Sequence, residues 1–303
     1  MEFYKGWYAA ISSSEIIRGK PTAIKRFGQD LVAWRNTDGK PVIMKDSCPH
    51  RSVKLSLGTI KEGNIRCAFH GFEFDNVGSC TLVPETAKPA PNLKCSVIKS
   101  SESHGLIWLW HGPEGEATEK PEWFEELNDD FAWSQYSSQF PCHITRCIEN
   151  QLDYAHLPFI HATTIGGNFD LNGIDSNFEL DDKTIKLQLK TGYFKFKFPN
   201  IWTLQILPER FHQFIAFVPV DAQNTLLYVR AYQKFSTFPG IRQMLGLILN
   251  IQSQQILQQD RRVVLSHPAY SSSLAEHEKL YPSDQGIAWF RKRWAEVTGD
   301  DIK

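Results

Sequence analysis

Two stretches of the chain gather side chains that bind metals. The first is Cys48-Pro49-His50 followed, after sixteen residues, by Cys67-Ala68-Phe69-His70. Thiolate and imidazole suit zinc and iron–sulfur clusters alike, so ligand type alone leaves both open. The second is Glu149-Asn150-Gln151-Leu152-Asp153-Tyr154-Ala155-His156-Leu157-Pro158-Phe159-Ile160-His161. Two histidines five residues apart cannot share one face of a straight helix. Pro158 between them predicts a break that folds the chain back and presents both rings. Asp153 and His156 are three apart and share a face if the helix holds there.

Spacing and flanks narrow the first site. Cys-x-His is unusual for zinc fingers, and the sequence resembles the Rieske family over residues 3–111. Cys48-Pro49-His50-Arg51 and Cys67-Ala68-Phe69-His70-Gly71-Phe72 match its two loops, and Asp75 and Gly78 match the turn that follows. The resemblance implies a [2Fe–2S] cluster with Cys48 and Cys67 on one iron and His50 and His70 on the other. Neutral imidazole in place of thiolate raises its potential. Respiratory members of the family carry one more Cys in each loop; here Pro49 follows Cys48, and no Cys lies between Cys67 and His70. Phe72 and Phe74 stand where those members place hydroxyls. Fewer donors to the sulfurs imply a lower potential, as in the ferredoxin and oxygenase branch.

Two imidazoles and a carboxylate on one face of a metal leave open positions for oxygen and substrate. The second stretch resembles the signature Glu-Asn-x-x-Asp-x-x-His-x-x-x-x-His of the catalytic subunit of Rieske non-haem iron oxygenases, at Glu149, Asn150, Asp153, His156 and His161. That family takes its third ligand, an Asp, from a long helix about a hundred residues further on, which implies Asp260. Ile256 and Val263, at i−4 and i+3, place Asp260 on an apolar face, where a carboxylate needs a metal or cation beside it. The competing readings are a surface pair of Asp260 with Arg261 or Arg262, or a ligand from Asp170 or Asp175. The resemblance gives Asp153 a separate role, bridging His156 of its own chain and the cluster ligand His70 of a neighbouring chain.

The implied activity is that of a terminal oxygenase with a mononuclear Fe(II) site. A partner NAD(P)H-dependent reductase or ferredoxin supplies electrons to the cluster, O2 is the oxidant, and an apolar small molecule is the substrate. No Gly-x-Gly-x-x-Gly segment follows a strand, so the chain does not read as binding its own nicotinamide. The bridge requires more than one chain, and the family implies a homotrimer. The short catalytic part resembles the group of vanillate O-demethylase and pheophorbide a oxygenase, which implies mono-oxygenation or oxidative demethylation. A cis-dihydroxylating dioxygenase, an electron carrier with a fused non-catalytic domain, and a zinc-stapled binding protein are the alternatives.

The supporting elements can be read in outline. The chain has 303 residues, 42 % hydrophobic and 13 % aromatic, with a net charge of -1. That is room for two domains and too little charge to attract nucleic acid or an anionic membrane. Short strands separated by turns, such as Leu31–Arg35, Pro41–Met44 and Gly105–Trp110, predict a small antiparallel domain. The acidic, Gly- and Pro-containing stretch 111–121 reads as a linker. Alternation at Thr184–Lys190 and Phe194-Lys195-Phe196-Lys197-Phe198, then strands at Phe211–Val220 and Thr225–Phe235, predict an antiparallel sheet with one buried face. The three phenylalanines would pack the core or line an apolar pocket. Helices are expected over Ile241–Ser266 and Asp284–Val297. The fold class is therefore α+β, with an all-β Rieske domain over 1–115 and a catalytic domain over 116–303. Six cysteines make no disulfide framework, and Cys142-His143 with Cys147 reads as structural amid strand-like Phe140, Ile144 and Ile148. The loop 163–170 after His161 reads as a mobile entrance or a tight turn. No targeting segment is visible, and Met244–Ile251, interrupted by Gly246 and Asn250, is too short for a span of roughly 20 residues. The chain reads as soluble and cytoplasmic.

Overall fold

The computed structural model describes residues 3–117, 120–167, 169–171, 178–268, 271–272 and 277–299. Asp175 lies outside them. The chain divides into two compact units, Trp7–Pro121 and Glu122–Lys303 together with Met1–Gly6. The division thus falls after Pro121 rather than after residue 115. The start of the chain groups with the second unit because its aromatic side chains pack there. Tyr4 lies 5.0 Å from Phe198 and 5.6 Å from Trp294, ring to ring.

The N-terminal unit is built from eleven short strands: β1 (Gly6–Ser12), β2 (Thr22–Arg26), β3 (Gln29–Arg35), β4 (Pro41–Lys45), β5 (Thr59–Lys61), β6 (Asn64–Arg66), β7 (Glu73–Phe74), β8 (Ser79–Val83), β9 (Lys88–Lys94), β10 (Ser100–Ser103) and β11 (Leu106–His111). They form three sheets, ordered β1-β11-β10, β2-β3-β4 and β5-β6-β7-β8-β9. Alternating apolar residues such as Val32, Trp34, Ile65 and Phe74 are almost wholly buried and share one core cluster with Cys48 and Cys67. The two cysteines therefore sit at the edge of a packed interior, where their backbone has little freedom.

The C-terminal unit is a seven-stranded antiparallel sheet of β12 (Ala132–Phe140), β13 (Phe178–Leu180), β14 (Thr184–Gln188), β15 (Tyr193–Lys197), β16 (Ile201–Leu207), β17 (Phe211–Asp221) and β18 (Asn224–Gln233). Their order is β12-β18-β17-β16-β15-β14-β13. The helices are α1 (Ile144–Leu152), α2 (Leu157–Ile160), α3 (Pro239–Val264) and α4 (Gln285–Thr298). The expected sheet, long helix and last helix are all present. Phe140 ends a strand, but Ile144 and Ile148 lie on α1 rather than in a strand, and His143 caps that helix by accepting from the Thr145 N–H. Cys142 and Cys147 approach to 3.5 Å, Sγ to Sγ, in the interior beside it.

Two devices fix the helices that matter for function. Gly246 lets α3 approach β12, since a Cβ there would lie 3.0 Å from the Ser134 Cβ; the Ser134 hydroxyl donates to the Gly246 carbonyl and to Asn250 Oδ1. Four charges lock α1 against α4. Glu149 accepts from Arg146 and Arg291, and the same two guanidinium groups hold Glu278, at 2.6 to 3.1 Å. Multidentate pairs of this kind are worth more than isolated surface bridges, because each member is already ordered by the others. Burial works against the charge of Glu278, but the two guanidinium groups outweigh it and pull the carboxyl from 4.5 to about 2. A carboxyl depressed in the folded state stabilises fully above its unfolded pKa, and that contribution fades as pH falls from there toward the folded value. Glu278→Gln should therefore move the acid-unfolding midpoint, followed by far-UV circular dichroism, to higher pH, with little change of stability with pH below about 2.

Candidate metal centres and their shared geometry

The cysteines and histidines of the N-terminal unit lie on two loops with one geometry. The first follows β4: the Cys48 N–H donates to the Val53 carbonyl, and the Ser52 N–H donates to the Cys48 carbonyl, both at 2.8 Å. The second follows β6: the Cys67 N–H donates to Phe72 at 2.9 Å, and the Gly71 N–H donates to Cys67 at 3.0 Å. Each loop thus closes from Cys to the fifth residue on and turns at the fourth. That fourth residue has positive φ in both, 56° at Ser52 and 72° at Gly71. Sequence reading missed this symmetry because only Gly71 advertises a positive φ.

The loops sort their cysteines and histidines by burial. Cys48 and Cys67 are buried, whereas His50 and His70 are exposed, with ring centroids 4.8 Å apart. His50 also stacks on Phe72 at 4.6 Å. Burial pushes the Cys48 thiol up to about 11; the His50 and Arg51 backbone N–H groups aimed at its sulfur work against that, and the nearby Cys67 thiol reinforces it. A buried thiol that resists ionisation, with a second buried thiol beside it, suits a cationic centre, which restores the thiolate form. Neither Phe72 nor Phe74 can donate to a sulfur. Asp75 Oδ1 accepts from the Val77 and Ser79 N–H groups and shapes the following turn.

In the C-terminal unit the helix does not hold as far as His156. α1 ends at Leu152, and Asp153 is its extended C-cap, with ψ 117°. The break therefore precedes His156. Pro158 does not make it; it sits in the first turn of α2, where its missing N–H is not needed. Asp153 still reaches His156 by a local turn: Oδ1 accepts from the Ala155 N–H at 2.7 Å, and Oδ2 lies 3.5 Å from His156 Nδ1.

Asp260 comes from α3, beside buried Leu257 and Val264, and is only 4 % exposed. Its Oδ1 lies 2.9 Å from His161 Nε2 and 3.5 Å from His156 Nε2. Donor atoms of the three residues all lie within 4.8 Å of one another. Asp260 pairs with neither adjacent arginine; the Arg261 Nε instead donates to the Gln139 carbonyl. Asp170 stands on the surface, 2.8 Å from Lys190. Burial lowers the His156 pKa, but hydrogen bonds and charge from Asp153 and Asp260 outweigh it and push it up to about 9. Burial likewise raises Asp260, and the two imidazoles more than reverse this. A cation between the three would satisfy all of them at once.

Gln259 was not singled out from the sequence. Its Oε1 accepts from His161 Nδ1 at 2.7 Å and from the Thr164 hydroxyl at 3.1 Å. With Nδ1 carrying the proton, Nε2 is left as the ligand atom facing Asp260. The loop after His161 is a tight turn. The Gly166 N–H donates to the His161 carbonyl, and a Cβ on Gly166 would fall 1.9 Å from the Leu157 oxygen.

His156 and Asp153 stand between two cavities. One, of about 230 Å³, is lined mostly by apolar side chains of the sheet and α3 and reaches Asp260 and His161. The other, of about 200 Å³, is edged by the charged Arg146, Glu149, Glu278 and Arg291, with apolar Ile160, Val263 and Leu280 also in its lining. Phe194 lines the apolar cavity. Phe196 and Phe198 instead pack against Phe290, ring to ring at 5.8 and 5.7 Å.

Residues 6–100 match the family described as the Rieske [2Fe–2S] domain. The N-terminal unit of this chain is a Rieske domain. Among curated proteins, chlorophyllide a oxygenase of Chlamydomonas reinhardtii is 32 % identical over 158 residues, 52 % of this chain and 24 % of that protein. A putative toluene-4-sulfonate monooxygenase iron–sulfur subunit of Comamonas testosteroni is 32 % identical over 162 residues, 53 % of this chain and 46 % of its own length. The chain thus spans less than half the length of these two relatives. Beyond the Rieske domain, the fold is shared with dicamba monooxygenase, at a TM-score of 0.81 and 18 % identity over 99 % of this chain and 98 % of the other. No helix among the described residues is long and apolar enough to cross a membrane.

The Gly166 contact gives a direct test of the His156–His161 turn. Gly166→Ala should displace the Leu157 carbonyl and with it His161. The expected result is loss of the metal held by the C-terminal unit, read as metal per chain by mass spectrometry, with the visible spectrum of the Rieske cluster unchanged.

Proposed function

We propose that this chain is the terminal oxygenase of a Rieske system, acting on an apolar small molecule by mono-oxygenation. The observation that carries the reading is the meeting of His156, His161 and Asp260 within 4.8 Å at the end of an apolar cavity, in a chain that also holds a Rieske domain. Cys48, Cys67, His50 and His70 would hold the [2Fe–2S] cluster, and His156, His161 and Asp260 a mononuclear Fe(II). Bound there, the two centres supply one-electron reduction and activation of O2.

The chain's own residues prepare these events. Gln259 fixes the tautomer of His161. Asp153 orients His156 from the opposite side and presents its remaining lone pairs to the polar cleft, where its side chain is 28 % exposed. An imidazole N–H entering that cleft would complete a bonded route to His156. The exposed ring of His70, supplied by a second copy of the chain, has the chemistry for this, which supports a homotrimer in which each cluster serves its neighbour. Electrons would reach the cluster from an NAD(P)H-dependent reductase or ferredoxin at the exposed His50 and His70 edge. The apolar lining excludes water from the metal and favours an apolar, cyclic or aromatic substrate. The relatives named as monooxygenases support mono-oxygenation over dihydroxylation.

Anaerobic iron and sulfide analysis tests this reading. The expected content is about three iron and two sulfide per chain, with a Rieske-type EPR signal after dithionite reduction. Two iron would leave an electron carrier, and zinc without a signal would remove the cluster. Asp260→Ala should lose about one iron and keep the signal. Asp153→Asn should keep both metals but slow oxidation of the prereduced cluster by O2 roughly 10–100-fold; an unchanged rate would remove Asp153 from the route.

A further inference from the structure

The apolar cavity contains two hydrogen-bond donors that no described residue uses. Four buried polar atoms of its lining stand out among the described residues: His156 Nδ1 and Asp260 Oδ1, which face Asp153 and His161, and Tyr136 Oη and Trp202 Nε1, which have no partner. The first two belong to the metal centre. The other two do not, and Trp202 is only 4 % exposed. Native interiors rarely leave such donors unmet, and those that exist call for a ligand or a water.

Their placement follows from strand register. Tyr136 on β12 pairs with Val229 on β18, Val229 with Ile215 on β17, and Ile215 with Trp202 on β16. Directly paired residues project to the same side of a sheet, so these four form one row across the cavity floor. Its ends are three strand spacings apart, about 14 Å between Cα atoms. Tyr136 is the metal end. Burial and then the charge of Asp260 raise its phenol, so it remains a donor. Trp202 is the far end, and Val229 and Ile215 between them are apolar. In the next row, Gln213 is already satisfied: its amide N–H donates to the Arg230 carbonyl, and its oxygen accepts from the Ser253 hydroxyl.

We propose that Tyr136 and Trp202 are substrate-orienting donors, and that the substrate is a flat apolar molecule with oxygen acceptors, such as carbonyl or ether groups, at its two ends. The inference rests on the oxygenase reading and adds the polar pattern of the substrate to it. The two donors would hold the ring plane over Val229 and Ile215 and set which edge meets the metal.

The test uses two compounds of one shape, 1-tetralone and tetralin, titrated calorimetrically into the anaerobic, iron-loaded protein. The ketone is expected to bind roughly tenfold more tightly than the hydrocarbon, since only it can satisfy a buried donor. Tyr136→Phe and Trp202→Phe together should abolish that preference, the two compounds then binding within about twofold of each other; a loss of packing alone would weaken both and keep the preference. Equal affinity in the wild type, binding of neither compound, or a preference that survives both substitutions overturns the proposal. Iron content and the EPR signal of the same samples keep the two readings apart. A lost preference with all iron present counts against the donors alone, and missing mononuclear iron counts against the oxygenase.

Discussion

A carboxylate held out of water between two imidazoles governs the C-terminal unit. Asp260 is 4 % exposed and 2.9 Å from His161 Nε2. Such a charge is unfavourable in an interior unless a cation or several donors face it. The fold brings those partners together across about a hundred residues of sequence and keeps them from drifting apart. α3 is held on β12 through the Gly246 contact, and α1 is held on α4 by the Arg146, Glu149, Glu278 and Arg291 network. Glu149, the first residue of the signature, is held by Arg146 and Arg291. Glu149 works by anchoring the helix whose C-cap is Asp153.

The two metal centres meet their surroundings in opposite ways. In the Rieske unit the thiols face the core and the imidazoles face solvent, so the histidine edge is where charge can enter or leave. In the C-terminal unit the imidazoles and carboxylate face an apolar cavity, and the half-buried Asp153 faces the charged cleft behind His156. Electron delivery and substrate entry can therefore use different sides of one histidine. A single ring serves both because its two nitrogens point apart, Nε2 toward Asp260 and Nδ1 toward Asp153.

Local chemistry was readable from the sequence; long-range assembly was less so. The cysteine and histidine loops and the histidine pair stand out because each is a short pattern whose residue types admit few uses; Asp260 came from the family resemblance and its apolar helix face, and the fold brings it beside His156 and His161. Alternation at Ile185 and Leu187 and the long helical stretch before His267 identified sheet and helix from periodicity. The point of the helix break was misplaced. Pro158 looks like a breaker, but proline is tolerated in a first turn, and the chain leaves the helix at Asp153, where the side chain caps its own turn. Ile144 and Ile148 looked strand-like because β-branched residues fit a strand as well as a buried helix face. Gln259 and Arg291 carry no local signal for their pairing with His161 and Glu149, which lie 98 and 142 residues away.

The same limit explains why the cavity, and not any motif, holds the substrate information. Its floor is a row of residues on four strands, of which β16, β17 and β18 follow one another along the chain while β12 joins them from far earlier in the sequence. Tyr136 and Trp202 are 66 positions apart in sequence and become ends of one surface only through the pairing β12-β18-β17-β16. The metal ligands must satisfy one ion with fixed demands, so their residue types are constrained and conspicuous. Floor residues need only agree with one another and with a molecule of a given outline, so many combinations serve. A scaffold of this kind can keep its metal chemistry while exchanging the row beneath it, and the polar atoms left unpaired in that row are the most direct physical trace of what it accepts.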